Sequence, residues 1–156
     1  MTTIPAEYEA MFAPHMQVPP VDVLACARAA GLEVFSLDLP NGVSGMLKRV
    51  DGDKFECYVD SSEPSVRQRF TAAHELGHFV LHRSSIGETH KDNYRLRAEG
   101  MTNWQETEAN RFAADLLMPH NLIEQAMDSG TNSVEGLARL FKVSEIAMSI
   151  RLGLPT

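Results

Sequence analysis

The sequence predicts one α+β domain over residues 1–156, in which a small, mostly antiparallel three-stranded sheet packs against a central helix. Strand-like segments cluster between residues 33 and 58, and helix-like segments lie on both sides of them along the chain. The length of 156 residues and the hydrophobic content of 44% suit one compact globular domain. We expect a core at residues 1–132 and a helical C-terminal segment at residues 133–156.

Two helices are expected at the N-terminal end. Residues 5–12 form a candidate first helix that ends near Pro14. Residues 21–30 are rich in helix-forming residues and stop at Gly31, which is typical of a C-terminal helix cap. Both segments precede the predicted sheet.

Three strands are expected next. Residues 33–39 alternate in the manner of a strand with two different faces. The Asp51-Gly52 pair separates residues 45–50 from residues 54–58 and predicts the tight turn of a β-hairpin. The last of these strands could offer an edge for an extended peptide, or it could be a plain core strand.

The segment His74-Glu75-Leu76-Gly77-His78 lies within a helix predicted over residues 64–82. Residues four apart lie on the same face of a helix, so His74 and His78 can present two imidazoles to one metal ion. An adjacent glutamate completes the zinc metallohydrolase pattern, with Glu75 as the general base. Small Gly77 would allow another chain segment to approach this helix closely.

A third metal ligand is sought in the helix predicted over residues 104–118. Helical periodicity gathers its apolar side chains into one arc: Ala109, Phe112, Ala113, Leu116 and Leu117. Glu106 lies about 60° from the centre of that arc and Glu108 about 100° away, so we assign Glu106 as the third ligand and expect Glu108 to face water. Asn110, one turn beyond Glu106, could hydrogen-bond a metal ligand.

These segments resemble the ImmA/IrrE-type zinc metallopeptidases. Residues 67–82 are similar to that family's active-site helix, residues 106–119 to its second motif, and residues 137–152 to its C-terminal segment. The resemblance implies a zincin-like, gluzincin-type peptidase with zinc as its cofactor. It also implies a protein target, often a helix-turn-helix regulator encoded nearby. Some relatives inactivate such a regulator as anti-repressors, and others are the toxins of toxin–antitoxin pairs. The chain is close in size to a minimal core.

Three protein ligands would leave the fourth zinc position to water, which is typical of a catalytic site. The developing oxyanion needs a further donor, and His82, His90 and Tyr94 are candidates. His82 follows His78 by one turn, so it could equally serve as a packing or capping residue.

The composition of the sequence limits the kinds of binding partner and the cellular compartment that we expect. A net charge of -7 opposes general affinity for nucleic acid, and no apolar stretch reaches membrane-spanning length. Cys26 and Cys57 are isolated, and the N-terminus has no basic segment leading into an apolar run. We therefore expect a cytoplasmic protein without a signal peptide.

Residues 133–152 follow a helix-turn-helix pattern. The second helix carries Arg151 as its one basic group, and Glu145 at its N-terminal end would repel a phosphate. A packing or partner-docking role is therefore favoured over DNA binding. Two alternative functions remain: a non-proteolytic zinc-containing module that sequesters a regulator, and a DNA-binding protein that uses these helices.

Overall fold

The structure, a computed structural model, describes residues 2–93 and 101–155. Seven α-helices, two short 3-10 helices (Ala13–His15 and Arg83–Ser85) and four strands occur in this part of the chain. The α-helices are α1 (Ala6–Phe12), α2 (Val23–Ala29), α3 (Ser65–Leu81), α4 (Asn103–Leu117), α5 (His120–Asp128), α6 (Val134–Phe141) and α7 (Glu145–Arg151). The strands are β1 (Glu33–Leu37), β2 (Val43–Asp51), β3 (Lys54–Asp60) and β4 (Thr89–Asn93).

The strands of the described residues form one sheet in the order β1-β3-β2-β4. The pairs β2–β3 and β2–β4 are antiparallel, whereas β1 runs parallel to β3. The α+β fold class is confirmed, with one correction: the sheet has four strands rather than three. The hairpin strand β3 is central, so of its two expected roles the plain core strand is the one observed. An extended peptide therefore cannot pair with β3, since both of its edges are occupied.

The helix α3 lies between the sheet and α4, so it is buried over most of its length. Its apolar side chains contact the sheet on one side, where the Phe79 ring meets that of Phe55 edge-on at 5.7 Å. On the other side Gly77 faces α4, and a Cβ atom built on it would lie 3.1 Å from the Cβ of Phe112. The close approach expected at Gly77 is therefore present, and it places α4 next to the two histidines of α3.

Local capping explains where the two central helices begin. Pro64 precedes α3 as its N-cap, and its fixed φ suits a helix start. Thr102 and Gln105 form a capping box at the start of α4, each side chain bonding the backbone N–H of the other. Both helices thus start within one or two residues of their predicted positions.

The C-terminal helices α6 and α7 pack on the rest of the domain. Leu137, Phe141 and Met148 are buried in the common core. The guanidinium of Arg69 on α3 donates to the carbonyl oxygens of Phe141 and Lys142 at 3.4 and 3.2 Å. Among the described residues, this segment is therefore joined to the rest of the fold by apolar contacts and to α3 by hydrogen bonds.

Candidate metal centre

The helix α3 presents His74 and His78 one turn apart on a fully buried face. Each imidazole is 0% exposed, and their Nε2 atoms lie 3.1 Å from each other. The lone pairs of two ring nitrogens at this distance repel each other unless a proton or a cation lies between them. The pair therefore converges on a single point, as the spacing of the motif predicts.

The helix α4 brings Glu106 to the same point. Its Oε1 atom lies 3.1 Å from Nε2 of His74 and 3.0 Å from Nε2 of His78. Glu106 is 7% exposed, so it occupies the inner side of α4 as the helical periodicity requires. The structure thus brings the three predicted metal ligands together from two helices.

Hydrogen bonds at the other ring nitrogens leave both Nε2 atoms free to bind a metal. Nδ1 of His74 donates to Oδ1 of Asn110 at 2.8 Å, which assigns its lone pair to Nε2. Nδ1 of His78 lies 2.9 Å from Nδ1 of His82, and Nε2 of His82 lies 2.9 Å from Oε1 of Glu108. Nε2 of His82 donates to Glu108, which leaves Nδ1 of His82 to accept a hydrogen bond from Nδ1 of His78. His78 therefore has the same tautomer as His74, with its lone pair on Nε2.

Glu108 thus differs from its expected position. The periodicity of α4 predicts a side chain that faces water, but the carboxylate is only 34% exposed and accepts a hydrogen bond from His82. His82 lies at the C-terminal cap of α3, where the chain leaves the helix and reaches toward α4. Both ring nitrogens of His82 are engaged, so its position favours support of His78 over contact with a substrate.

The edge strand β4 adds two residues to the centre. Oδ2 of Asp92 lies 3.3 Å from Nε2 of His74 and 3.2 Å from Nε2 of His90. The His90 ring also meets the His78 ring at 4.7 Å between centroids. His90 was a candidate oxyanion donor, whereas sequence reasoning missed Asp92. Residues 90 and 92 share one face of a strand, but the polar composition of this segment predicts no strand.

Glu75 lies beside this group and is completely buried. Within the described residues, neither of its carboxylate oxygens has a hydrogen-bond partner. Its Oε1 atom lies 3.8 Å from Nε2 of His90, and burial together with the neighbouring Asp92 raises the pKa of Glu75 well above its usual range. A buried carboxylate in this position can exchange a proton with a group bound at the centre.

Gly45 of β2 makes room for Glu75. A Cβ atom built on Gly45 would lie 2.5 Å from Cγ2 of Thr71 and 3.0 Å from Oε2 of Glu75. Any larger residue would therefore push against α3 at Thr71 and Glu75. Gly45 is also paired with Asp92 across the β2–β4 ladder, so the same short stretch of sheet positions both carboxylates.

A divalent metal fits these residues. One atom from each of His74, His78, Asp92 and Glu106 lies within 4.8 Å of the others, and all four side chains are buried. In the described part of the chain, Oε2 of Glu106 and Oδ1 of Asp92 have no hydrogen-bond partner, which is costly for buried carboxylates unless a cation compensates them. Imidazole nitrogen and carboxylate oxygen are ligands that zinc accepts.

The pKa values in the metal-free chain agree with this interpretation. Burial lowers the pKa of His78, which favours the neutral imidazole that binds a metal. Burial also disfavours a charged His74, but Asp92 and Glu106 outweigh this and raise its pKa to about 9. In the metal-free chain, a proton on His74 thus supplies positive charge at the place where a metal would otherwise supply it.

Tyr94, the remaining predicted oxyanion donor, lies outside the described residues. In the part of the chain that the structure describes, no helix is both long enough and apolar enough to cross a bilayer.

Comparison with known proteins agrees with the arrangement of the centre. Residues 27–153 match the IrrE N-terminal-like domain, a peptidase family. The radiation response metalloprotease IrrE of Deinococcus radiodurans is 33% identical over 96 residues, which amount to 60% of this chain and 28% of that protein. The chain thus spans less than a third of the length of that relative. Because the family match covers most of its residues, the chain belongs to the IrrE N-terminal-like domain family of peptidases.

Proposed function

We propose that this protein is a zinc-dependent peptidase whose metal is held by His74, His78 and Glu106. The observation that supports this most strongly is the convergence of the two Nε2 atoms and Oε1 of Glu106 at 3.0–3.1 Å in a buried site. The hydrogen bonds to Asn110 and His82 leave both Nε2 lone pairs available. Bound zinc would supply Lewis acidity and lower the pKa of a bound water toward about 7.

Glu75 is the proposed general base. It would accept a proton from the attacking water and later deliver it to the departing amide nitrogen. Its complete burial and its position beside His90 and Asp92, within reach of the proposed ligands, support this role. Asn110 and the His82–Glu108 pair would hold the ligand imidazoles in position and would not contact the substrate.

His90 is the proposed donor for the oxyanion, and its Nε2 atom, 3.2 Å from Oδ2 of Asp92, would have to leave that carboxylate to donate to a substrate. It projects from β4 toward Glu75, with Nε2 at 3.8 Å from Oε1, so it borders the space in which a peptide carbonyl would react. His82 is committed to His78 and Glu108. Among the described strands, β4 also has a free outer edge, where an extended substrate could add as a further strand.

The proposed substrate is a protein, with a helix-turn-helix regulator encoded nearby as the first candidate. The resemblance to ImmA/IrrE-type peptidases supports this target, and the net charge of -7 argues against direct binding of nucleic acid. Whether the outcome is relief of repression or toxicity depends on the regulator. Cytoplasmic action is also proposed, since both cysteines, Cys26 and Cys57, are free thiols.

Substrate mapping in cells tests the proposal. Cells expressing wild type are compared with cells expressing Glu75→Gln, and newly formed protein N-termini are identified by mass spectrometry. The exposed Glu124→Gln variant is the matched control, because it makes the same substitution away from the centre. Fragments that require Glu75 and incorporate ¹⁸O from labelled water in vitro would support hydrolysis. Equal repression phenotypes in wild type and Glu75→Gln cells, without new N-termini, would instead indicate sequestration of the regulator.

A further inference from the structure

Asp92 occupies a position that the three predicted metal ligands leave open. It comes from the edge strand β4, and it is 0% exposed. Its Oδ2 atom lies 3.3 Å from Nε2 of His74, nearly the same distance that separates Oε1 of Glu106 from that nitrogen. The carboxylate therefore borders the same point as the metal ligands.

The spacing of the three predicted ligand atoms is close to that of a tetrahedral zinc site, and Asp92 lies beside them. Zinc bonds to nitrogen and oxygen of about 2.0–2.1 Å place the ligand atoms of a tetrahedron about 3.3 Å from each other. The pairs among His74, His78 and Glu106 are separated by 3.0–3.1 Å, and Asp92 adds a contact of 3.3 Å to His74. The ligand atoms of Asp92, His78 and Glu106 also lie within 4.8 Å of one another, so Asp92 is close enough to supply a fourth ligand.

Charge balance leads to the same conclusion. Two neutral imidazoles and the two carboxylates of Asp92 and Glu106 neutralise a divalent cation. His90 contacts Oδ2 of Asp92 from the outer side, at 3.2 Å, in the manner of a group that orients a metal ligand. Oδ1 of Asp92 has no hydrogen-bond partner among the described residues, which leaves this buried oxygen available to a cation.

From this geometry we infer that Asp92 is a fourth protein ligand of the metal and that the resting centre is closed to water. The inference rests on the metal centre of the proposed function and adds a condition to it. Asp92 must withdraw from the metal before a water or a peptide carbonyl can bind there. Glu75 then gains the water that it needs, because its carboxylate already lies next to Asp92.

Cobalt substitution tests this directly, because the visible spectrum of Co²⁺ reports its ligands without any need for activity. The Co²⁺-loaded chain is titrated with acetohydroxamate, a small chelator of open metal sites, and zinc affinity is measured by competition with a chromophoric chelator. Asp92→Ala is expected to bind acetohydroxamate at least about tenfold more tightly than wild type. It should bind zinc at least about tenfold more weakly, the lower end of what loss of a supporting residue costs.

Two further variants keep the test interpretable. Asp92→Asn preserves the size of the side chain, so it should fold even if the alanine variant does not, and its Co²⁺ spectrum should differ from that of wild type. Lys91→Ala alters the exposed neighbour on β4 and should match wild type. Equal acetohydroxamate affinity and an equal Co²⁺ spectrum in wild type and Asp92→Asn would overturn the inference while leaving the peptidase proposal intact. Failure of wild type to bind any metal would overturn both.

Discussion

Nε2 of His82 lies 2.9 Å from Oε1 of Glu108, and this contact links a partly exposed carboxylate to the metal centre. His82 in turn contacts His78, one of the proposed ligands, at 2.9 Å. Glu108 is therefore one end of a hydrogen-bonded chain that fixes the orientation and the tautomer of His78. Such outer contacts affect metal affinity even though they never touch the ion.

Substitution of Glu108 should weaken metal binding. We expect Glu108→Ala to lower zinc affinity by about 10- to 100-fold, because His82 loses its acceptor and His78 loses a defined tautomer. Competition with a chromophoric chelator measures this. Glu124→Ala removes the same charge from an exposed site and should change little. Equal zinc affinity in the two variants would show that Glu108 is only a surface residue.

A methyl group at Gly45 should disturb the centre from the sheet side. We expect Gly45→Ala to lower the free energy of unfolding by about 1–3 kcal/mol, because its Cβ would overlap with Thr71 and press on Glu75. Urea denaturation measures the change. Gly87→Ala is the control, since a Cβ at that position meets nothing within 4 Å. Combining Gly45→Ala with Thr71→Ser, which removes the contacted methyl group, should recover part of the loss; no recovery would assign the defect to another contact.

Both cysteines should resist thiol reagents in the folded chain. Burial raises the pKa of Cys26 to about 12 and also raises that of Cys57, so both remain protonated at about pH 8. Reaction with a disulfide reagent should therefore be slow in native buffer and become fast in denaturant. Because the unfolded thiols ionise at lower pH, stability should fall as the pH rises above about 9. Fast native labelling of either thiol would contradict the buried positions of both.

Metal removal should destabilise the protein, because a cation compensates the buried carboxylates. We expect about one zinc per chain by elemental analysis and a lower melting temperature after treatment with a chelator. At a free zinc concentration of about 100 times Kd, binding would contribute about 2.7 kcal/mol. Glu106→Ala should lose the metal and most of this shift, while Glu124→Ala should keep both. Undiminished zinc in Glu106→Ala would remove this residue from the ligand set.

The sequence predicts the elements that local patterns define. Histidine spacing, Pro64 and the apolar periodicity of residues 104–118 are sufficient to place α3 and α4 and to direct Glu106 inward. These features depend on residues close in the chain. The hairpin of β2 and β3 is predicted for the same reason, since its turn at Gly52 has the positive φ that glycine favours.

The pairing of strands that are far apart in the sequence is not predicted. The strand β4 consists of residues with low strand propensity, and it forms because β2 offers a partner edge about 45 residues earlier in the chain. Asp92 is missed with it. Helical periodicity also predicts the wrong surroundings for Glu108. It describes the faces of α4 alone and contains no information about the contact with His82 at the end of α3. The parallel pairing of β1 with β3 is missed in the same way.

Substitution of the proposed base tests the central claim most directly. Zinc-loaded wild type and Glu75→Gln are compared on the same regulator, with zinc content, regulator binding and cleavage measured in parallel. Glu75→Gln should retain zinc and bind the regulator, since its size and shape are preserved, but cleavage should fall by about 10²-fold or more. Cleavage at the wild-type rate by a Glu75→Gln chain that still holds zinc would contradict the proposal that Glu75 activates water in this protein.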